Sequence, residues 1–127
     1  MNDPIQQAVA LIRDARYLAA LTGAGHSTPS GIPDFRSPGS GLWEKSDPTE
    51  VASLEGFMRR PAAYYQWIRP LAAMMKAARP NPAHLALAEL ERRGILKMVI
   101  TQNIDGLHQA AGSQQVLELH GNHSQAT

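Results

Sequence analysis

The sequence predicts an α/β fold, a parallel β-sheet flanked by helices. Two observations carry that expectation. The elements run in the order helix, strand, long loop, helices, strand, short crossover, strand. Two of the three strands also end in glycine-rich or polar turns, as the strands of open parallel sheets do where they meet a ligand. At 127 residues the chain is long enough for one domain and no more.

The elements follow in chain order. Asp3-Pro4 reads as a helix cap and first-turn proline, and Ile5, Ala8, Val9, Ile12 and Ala15 recur at helical spacing, giving a first helix to about Arg16. "YLAALTGAG" is a short buried strand running into glycines. Residues 26–48, crowded with proline and glycine, form a long loop of the kind that is usually functional or disordered. A helical segment then covers about 48–79: Asp47-Pro48 with Glu50 opens one helix, and Pro61 opens another that Pro70 must end or kink. Met58, Met74, Met75, Tyr64, Tyr65 and Trp67 sit at helical spacings there and suit a core or small helical lobe. Asn81-Pro82 caps a further helix stopped by Gly94. The strand "ILKMVI", a short turn or helix around Leu107, and the strand "QVLEL" complete the chain.

Composition excludes several function classes. With 43% hydrophobic and 18% charged residues the chain is not generally disordered. Twelve basic against eleven acidic residues leave a net charge of +1, and the pairs Arg59-Arg60 and Arg92-Arg93 read as solvated helix faces, so no nucleic-acid footprint is expected. There is no cysteine, which removes disulfide and thiol chemistry. No segment has the roughly 18 apolar residues that span a bilayer, and the N-terminus lacks a signal-peptide layout. A cytoplasmic location is the default expectation, with no membrane partner.

Three stretches carry chemistry. In "TGAGHS", Gly23, Ala24 and Gly25 follow a strand directly, where a bare backbone and open amides can approach a pyrophosphate. Alone this is compatible with an ordinary glycine turn. In "SGIPDFRS", Asp34 can accept backbone amides, Phe35 offers a flat apolar wall and Arg36 a fork for phosphate or ribose oxygens. In "ILKMVITQNIDGLHQAAG" an apolar strand turns abruptly polar, and four of the five residues from Thr101 to Asp105 carry short polar side chains. Amides, a hydroxyl and one carboxylate suit the reading of a small polar ligand. His120 ends the last strand, and imidazole, with an ordinary pKa of about 6.5, can take and return a proton near neutral pH. His108 reads as structural. His123 makes a conceivable metal pair with His120, but no third ligand is in view, so no metal site is expected.

Taken together, "TGAGHSTPSGIPDFRSPGSGLW", "RPNPAHLALAEL", "ITQNIDGLHQAAG" and "LELHG" resemble, in order and approximate spacing, the sirtuin family of NAD-dependent protein deacylases. His26 departs from it, since a small aliphatic residue is more usual there. The resemblance implies a Rossmann-like sheet and NAD as cofactor. It implies that an acylated protein lysine is the substrate, its acyl group passing to ADP-ribose as nicotinamide leaves. It also implies that Gln102 lies near the ribose, that Asn103 and Asp105 meet the ribose region and the carboxamide, that Ile104 packs on the nicotinamide ring, and that His120 is the general base.

The family continues beyond the stretch corresponding to this chain, with a small module holding zinc through two Cys-x-x-Cys pairs and with the rest of the sheet. The chain therefore reads as the N-terminal part of such a domain, an incomplete fold, with zinc expected only in a full-length parent. The alternative is a non-catalytic module that binds NAD or ADP-ribose, or an inactive truncated remnant.

Overall fold

The structure, a computed structural model, describes residues 3–125. Three parallel strands, β1 (Leu18–Thr22), β2 (Leu96–Thr101) and β3 (Val116–Glu118), form one sheet in the order β1-β2-β3. The register sets Thr22 beside Thr101 and Thr101 beside Glu118, so all three strands end at one level. β2 is the central strand, with a neighbour on each side, and Leu96, Val99 and Thr101 on it are buried. The residues after it inherit positions at the carboxyl edge of the sheet.

Helix α1 (Pro4–Asp14) begins where expected: the Asp3 carboxylate accepts the Ile5 amide at 3.0 Å. It stops short of Arg16 because Ala15 is already extended, turning the chain toward β1. Helix α2 (Ala24–Ser27) follows β1, and a 3-10 turn at Thr28–Ser30 continues it, so the start of the expected loop is helical. The remainder to residue 47 is irregular apart from a turn at Leu42–Glu44.

The expected helical segment comprises α3 (Pro48–Val51), α4 (Leu54–Arg59) and α5 (Pro61–Ala77). Asp47 caps the first through the Thr49 amide at 2.8 Å, and Ser53 caps the second through the Gly56 amide at 2.9 Å. Helix α5 runs through Pro70, so of the two outcomes expected there, an end or a kink, the end does not occur. Pro70 offers no donor to the Gln66 carbonyl four residues back, and both residues are exposed, so water can serve it. The core cluster is Ile32, Leu71, Met75 and Leu107, with Leu42, Trp67, Ile68 and Ile104 packed against it. It joins α5 to the loop after β1 and to the segment after β2. Of the methionines and aromatics placed in a helical core, Met75 is buried, whereas Met58 and Tyr65 lie on the surface.

Helix α6 (Pro82–Arg92) is capped by Asn81, and its C-terminal turn closes at Gly94, whose φ of 74° is left-handed. Helix α7 (Leu107–Ala110) links β2 to β3. The basic pairs face solvent and acids, Arg92 and Arg93 on Glu89, Arg59 on Glu55 and Arg60 on Glu50. No helix among the described residues is long and apolar enough to cross a membrane.

Candidate active site

The carboxyl edge of the sheet opens into a cleft of about 250 Å³ lined by Ala24, Gly25, Asp34, Phe35, Arg36, Gln102, Asn103 and His120. Residues from four separate stretches of sequence thus meet around one space. Gly23, the remaining glycine of the first motif, caps α2 in an extended conformation, and its carbonyl accepts the Asn103 side-chain amide at 2.9 Å. Asn103 also donates to Ser27 Oγ at 3.2 Å, which locks the α2 turn to the end of β2.

Asp34 acts within its own loop. Its carboxylate accepts the Ser37 amide at 3.0 Å and the Ser37 hydroxyl, and those bonds hold its pKa below the ordinary carboxylate value. The loop so stapled presents Phe35 and Arg36. Phe35 stacks on Trp43 at 5.0 Å, and Trp43 on Trp67 at 5.9 Å, which fixes the aromatic wall. No carboxylate pairs with Arg36 among the described residues, so its fork is available to an anion.

Asp105 and Ile104 do not line this cleft. They line a narrower hollow of about 50 Å³ behind it, together with Ser27, Ile32, Phe35 and Asn103 among others. Asp105 is buried, and each of its oxygens is already engaged: Oδ2 accepts the Ser27 hydroxyl at 2.6 Å and Oδ1 the Leu107 amide at 2.9 Å. A carboxylate offers about four lone-pair sites, so it retains acceptor capacity toward the hollow. Ser27 was not among the sequence candidates. Its signal was its place inside the glycine motif, where a small polar residue had no other task.

His120 lies beyond β3 and is exposed. Its Nδ1 is 3.0 Å from the Gln102 carbonyl oxygen. That oxygen accepts only, so Nδ1 carries a ring hydrogen, and in the neutral ring the lone pair is then on Nε2. His120 also lines a second, more apolar hollow of about 580 Å³ formed by Phe57, Tyr64, Tyr65, Ile68, Met75 and others. The polar cleft and the apolar hollow therefore meet at one imidazole. His123 lines the same hollow, its Nδ1 donating to the Ile104 carbonyl at 2.8 Å.

Behind α2 stand His84 and His108, both fully buried, with His26 beside them. His108 Nε2 bonds Thr22 Oγ1 at 2.8 Å, in keeping with the structural role read from the sequence. Burial lowers the proton affinity of all three rings, most strongly for His108, whose pKa falls to about 4. They are neutral near pH 7.

The Sir2 family model matches residues 23–127. The chain is 53% identical over 121 residues to NAD-dependent protein deacylase 2 of Archaeoglobus fulgidus, covering 95% of this chain and 47% of that protein. A solved Sir2 structure described with a p53 peptide and NAD+ superposes with a TM-score of 0.84 at 44% identity, over 94% of this chain and 47% of that one. Another, described with a deacetylated p53 peptide and 3'-O-acetyl ADP-ribose, gives a TM-score of 0.88 at 44% identity, over 93% and 47%. The chain spans about half the length of the curated relatives it matches.

Proposed function

Because the chain belongs to the Sir2 family, we propose that it forms the nicotinamide-ribose side of the active site of an NAD-dependent protein-lysine deacylase, with His120 as general base. The observation that carries this reading is the position of His120, shared by a polar cleft and an apolar hollow with its Nε2 free. The cleft suits NAD. A Cβ at Gly25 would meet no protein atom within 4 Å, and its φ is not left-handed, so nothing in the protein itself demands glycine there. A ligand passing close to the backbone would.

In this reading Ala24, Gly25 and Arg36 face the phosphates, with Asp34 and Phe35 holding and walling their loop. Gln102 and Asn103 orient the ribose, and Ile104 and Asp105 form the narrow seat for the carboxamide ring. NAD, when bound, supplies the ribose carbon that the acyl oxygen attacks and the nicotinamide that leaves. His120 Nε2 then takes the proton of a ribose hydroxyl, so that this oxygen can attack the acyl carbon. The apolar hollow receives the acyl group. No Asp, Glu, Lys or Arg among the described residues lines it, which favours uncharged acyl chains. Part of the acyl preference therefore resides in these residues. The same reading makes the reaction a transfer of the acyl group to ADP-ribose and places the protein in the cytoplasm.

The test is a chimera joining residues 1–127 to the C-terminal half of the Archaeoglobus fulgidus relative. It is expected to release nicotinamide from NAD only when an acetyl-lysine peptide is present, and His120→Ala is expected to lower the rate of peptide deacetylation about 10²–10⁴-fold while NAD still binds. A His120→Ala chimera with near-normal turnover would show that the base is elsewhere. NAD or ADP-ribose binding with no peptide-dependent release would instead support a non-catalytic binding module.

A further inference from the structure

Three imidazoles from three different elements converge behind the cleft: His26 on α2, His84 in the first turn of α6 and His108 on α7. Their ring centroids are 4.6, 5.0 and 4.9 Å apart. His26 Nε2, His84 Nε2 and His108 Nδ1 are all buried and have no hydrogen-bond partner. Buried polar atoms are normally paired, and three orphans in one place depart from that norm together. One ring nitrogen from each residue lies within 4.8 Å of the other two.

We propose that His26, His84 and His108 form a binding site for a single divalent transition-metal ion of the kind that prefers imidazole, such as zinc, cobalt or nickel. At metal–nitrogen distances of about 2.0–2.1 Å, a tetrahedral site sets its imidazole centroids roughly 5 Å apart, which is the spacing these rings already have. The ligand nitrogens would move inward by about 1 Å or less each. His108 has the support a ligand needs, because its Nε2 can donate to Thr22 Oγ1 while Nδ1 faces the ion. The rings are neutral near pH 7, so protons do not compete for the lone pairs. Asp105 supplies the nearby negative charge, since its field acts on all three rings. His84 carries the cost. Its Nδ1 accepts the Asn81 amide at 3.2 Å, so Nε2 holds the hydrogen in the metal-free protein. Binding moves that hydrogen to Nδ1 and opens this long capping bond. The ion would tie α2 to α6 and α7, behind the Gly25 side of the cleft.

The experiment uses the 127-residue chain stripped with a chelator and titrated with Co²⁺, read by calorimetry, visible absorption and thermal melting. One ion per chain, the ligand-field bands of a tetrahedral nitrogen site and a raised Tm are expected. His26→Val is expected to weaken binding by about tenfold or more, and His26→Asn to do the same should the valine variant fail to fold. His123→Ala, which alters a part-buried histidine outside the cluster, is expected to leave stoichiometry and bands unchanged. Absence of saturable Co²⁺ binding, binding that survives both His26 variants, or binding abolished by His123→Ala would overturn the proposal.

Discussion

Gly25 lies within α2, at a position where alanine is a better helix former, and no protein atom occupies the space a methyl would take. Gly25→Ala is therefore expected to hold or raise stability by about 0.4–1 kcal/mol. In the chimera the same methyl is expected to weaken NAD binding about tenfold or more, because it stands between backbone and ligand. Urea unfolding and NAD titration read the two effects separately, and unchanged NAD affinity would remove the ligand argument for this glycine. The buried histidines give a second expectation at this scale. Each has a lower pKa folded than unfolded, so between those values the unfolded chain binds more protons. For His108 the window runs from 6.5 down to about 4, and stability is lost as pH falls through it and is level above it. The carboxylates with lowered pKa, Asp34, Asp47 and Glu89, lose their contribution only at lower pH, as it falls through the ordinary carboxylate range. The urea midpoint of the chelator-treated chain should accordingly drop between about pH 7 and pH 5. An unchanged midpoint would mean that these rings protonate freely in the folded state.

Gly56 shows how one residue decides the joint between two elements. A Cβ there would lie 2.2 Å from the Glu50 carbonyl oxygen, so α4 packs against the end of α3 only because position 56 has no side chain. Gly56→Ala is expected to cost about 1–3 kcal/mol by chemical denaturation, despite alanine's better helix propensity. A neutral result would show that α3 gives way freely. That glycine had no signal in the sequence, because the clash is tertiary. The caps were legible, since Asp3, Asp47 and Asn81 each act on an amide two residues ahead through local geometry alone. The strand ends were legible as well, because an apolar run that breaks into "TQNID" marks the point where a buried strand leaves the sheet. Two things were not. Whether Pro70 would end its helix or only bend it was one, because that depends on whether the carbonyl left without a donor lies on a solvent-facing side, which sequence does not tell. The histidine cluster joins positions 26, 84 and 108, whose meeting depends on the crossover between β1 and β2. His26 stood out only as an unusual residue in its motif.

At the scale of the whole molecule the sheet is small and open. β1 and β3 each have one neighbour, and β3 is three residues long. Leu21 on β1 is 69% exposed, Leu117 and Leu119 are about half exposed, and α1 buries none of its residues. Fully burying a leucine contributes about 1.5–3 kcal/mol. Several left uncovered amount to a deficit of order 5 kcal/mol, against a typical domain stability of about 5–15 kcal/mol. Unpaired strand edges add a route to self-association. The 127-residue chain alone is therefore expected to unfold at low urea or associate, to bind NAD weakly and to show no acetyl-lysine-dependent nicotinamide release. Fusion to the C-terminal half of a relative should raise the unfolding midpoint and bring turnover with it, because the same added surface would cover the leucines and complete the cleft. Sedimentation, urea titration and nicotinamide release on the chain and the chimera side by side make the comparison. A chain that stays monomeric, melts cooperatively at the chimera's midpoint and turns over peptide unaided would mean that these 127 residues already contain what the site needs.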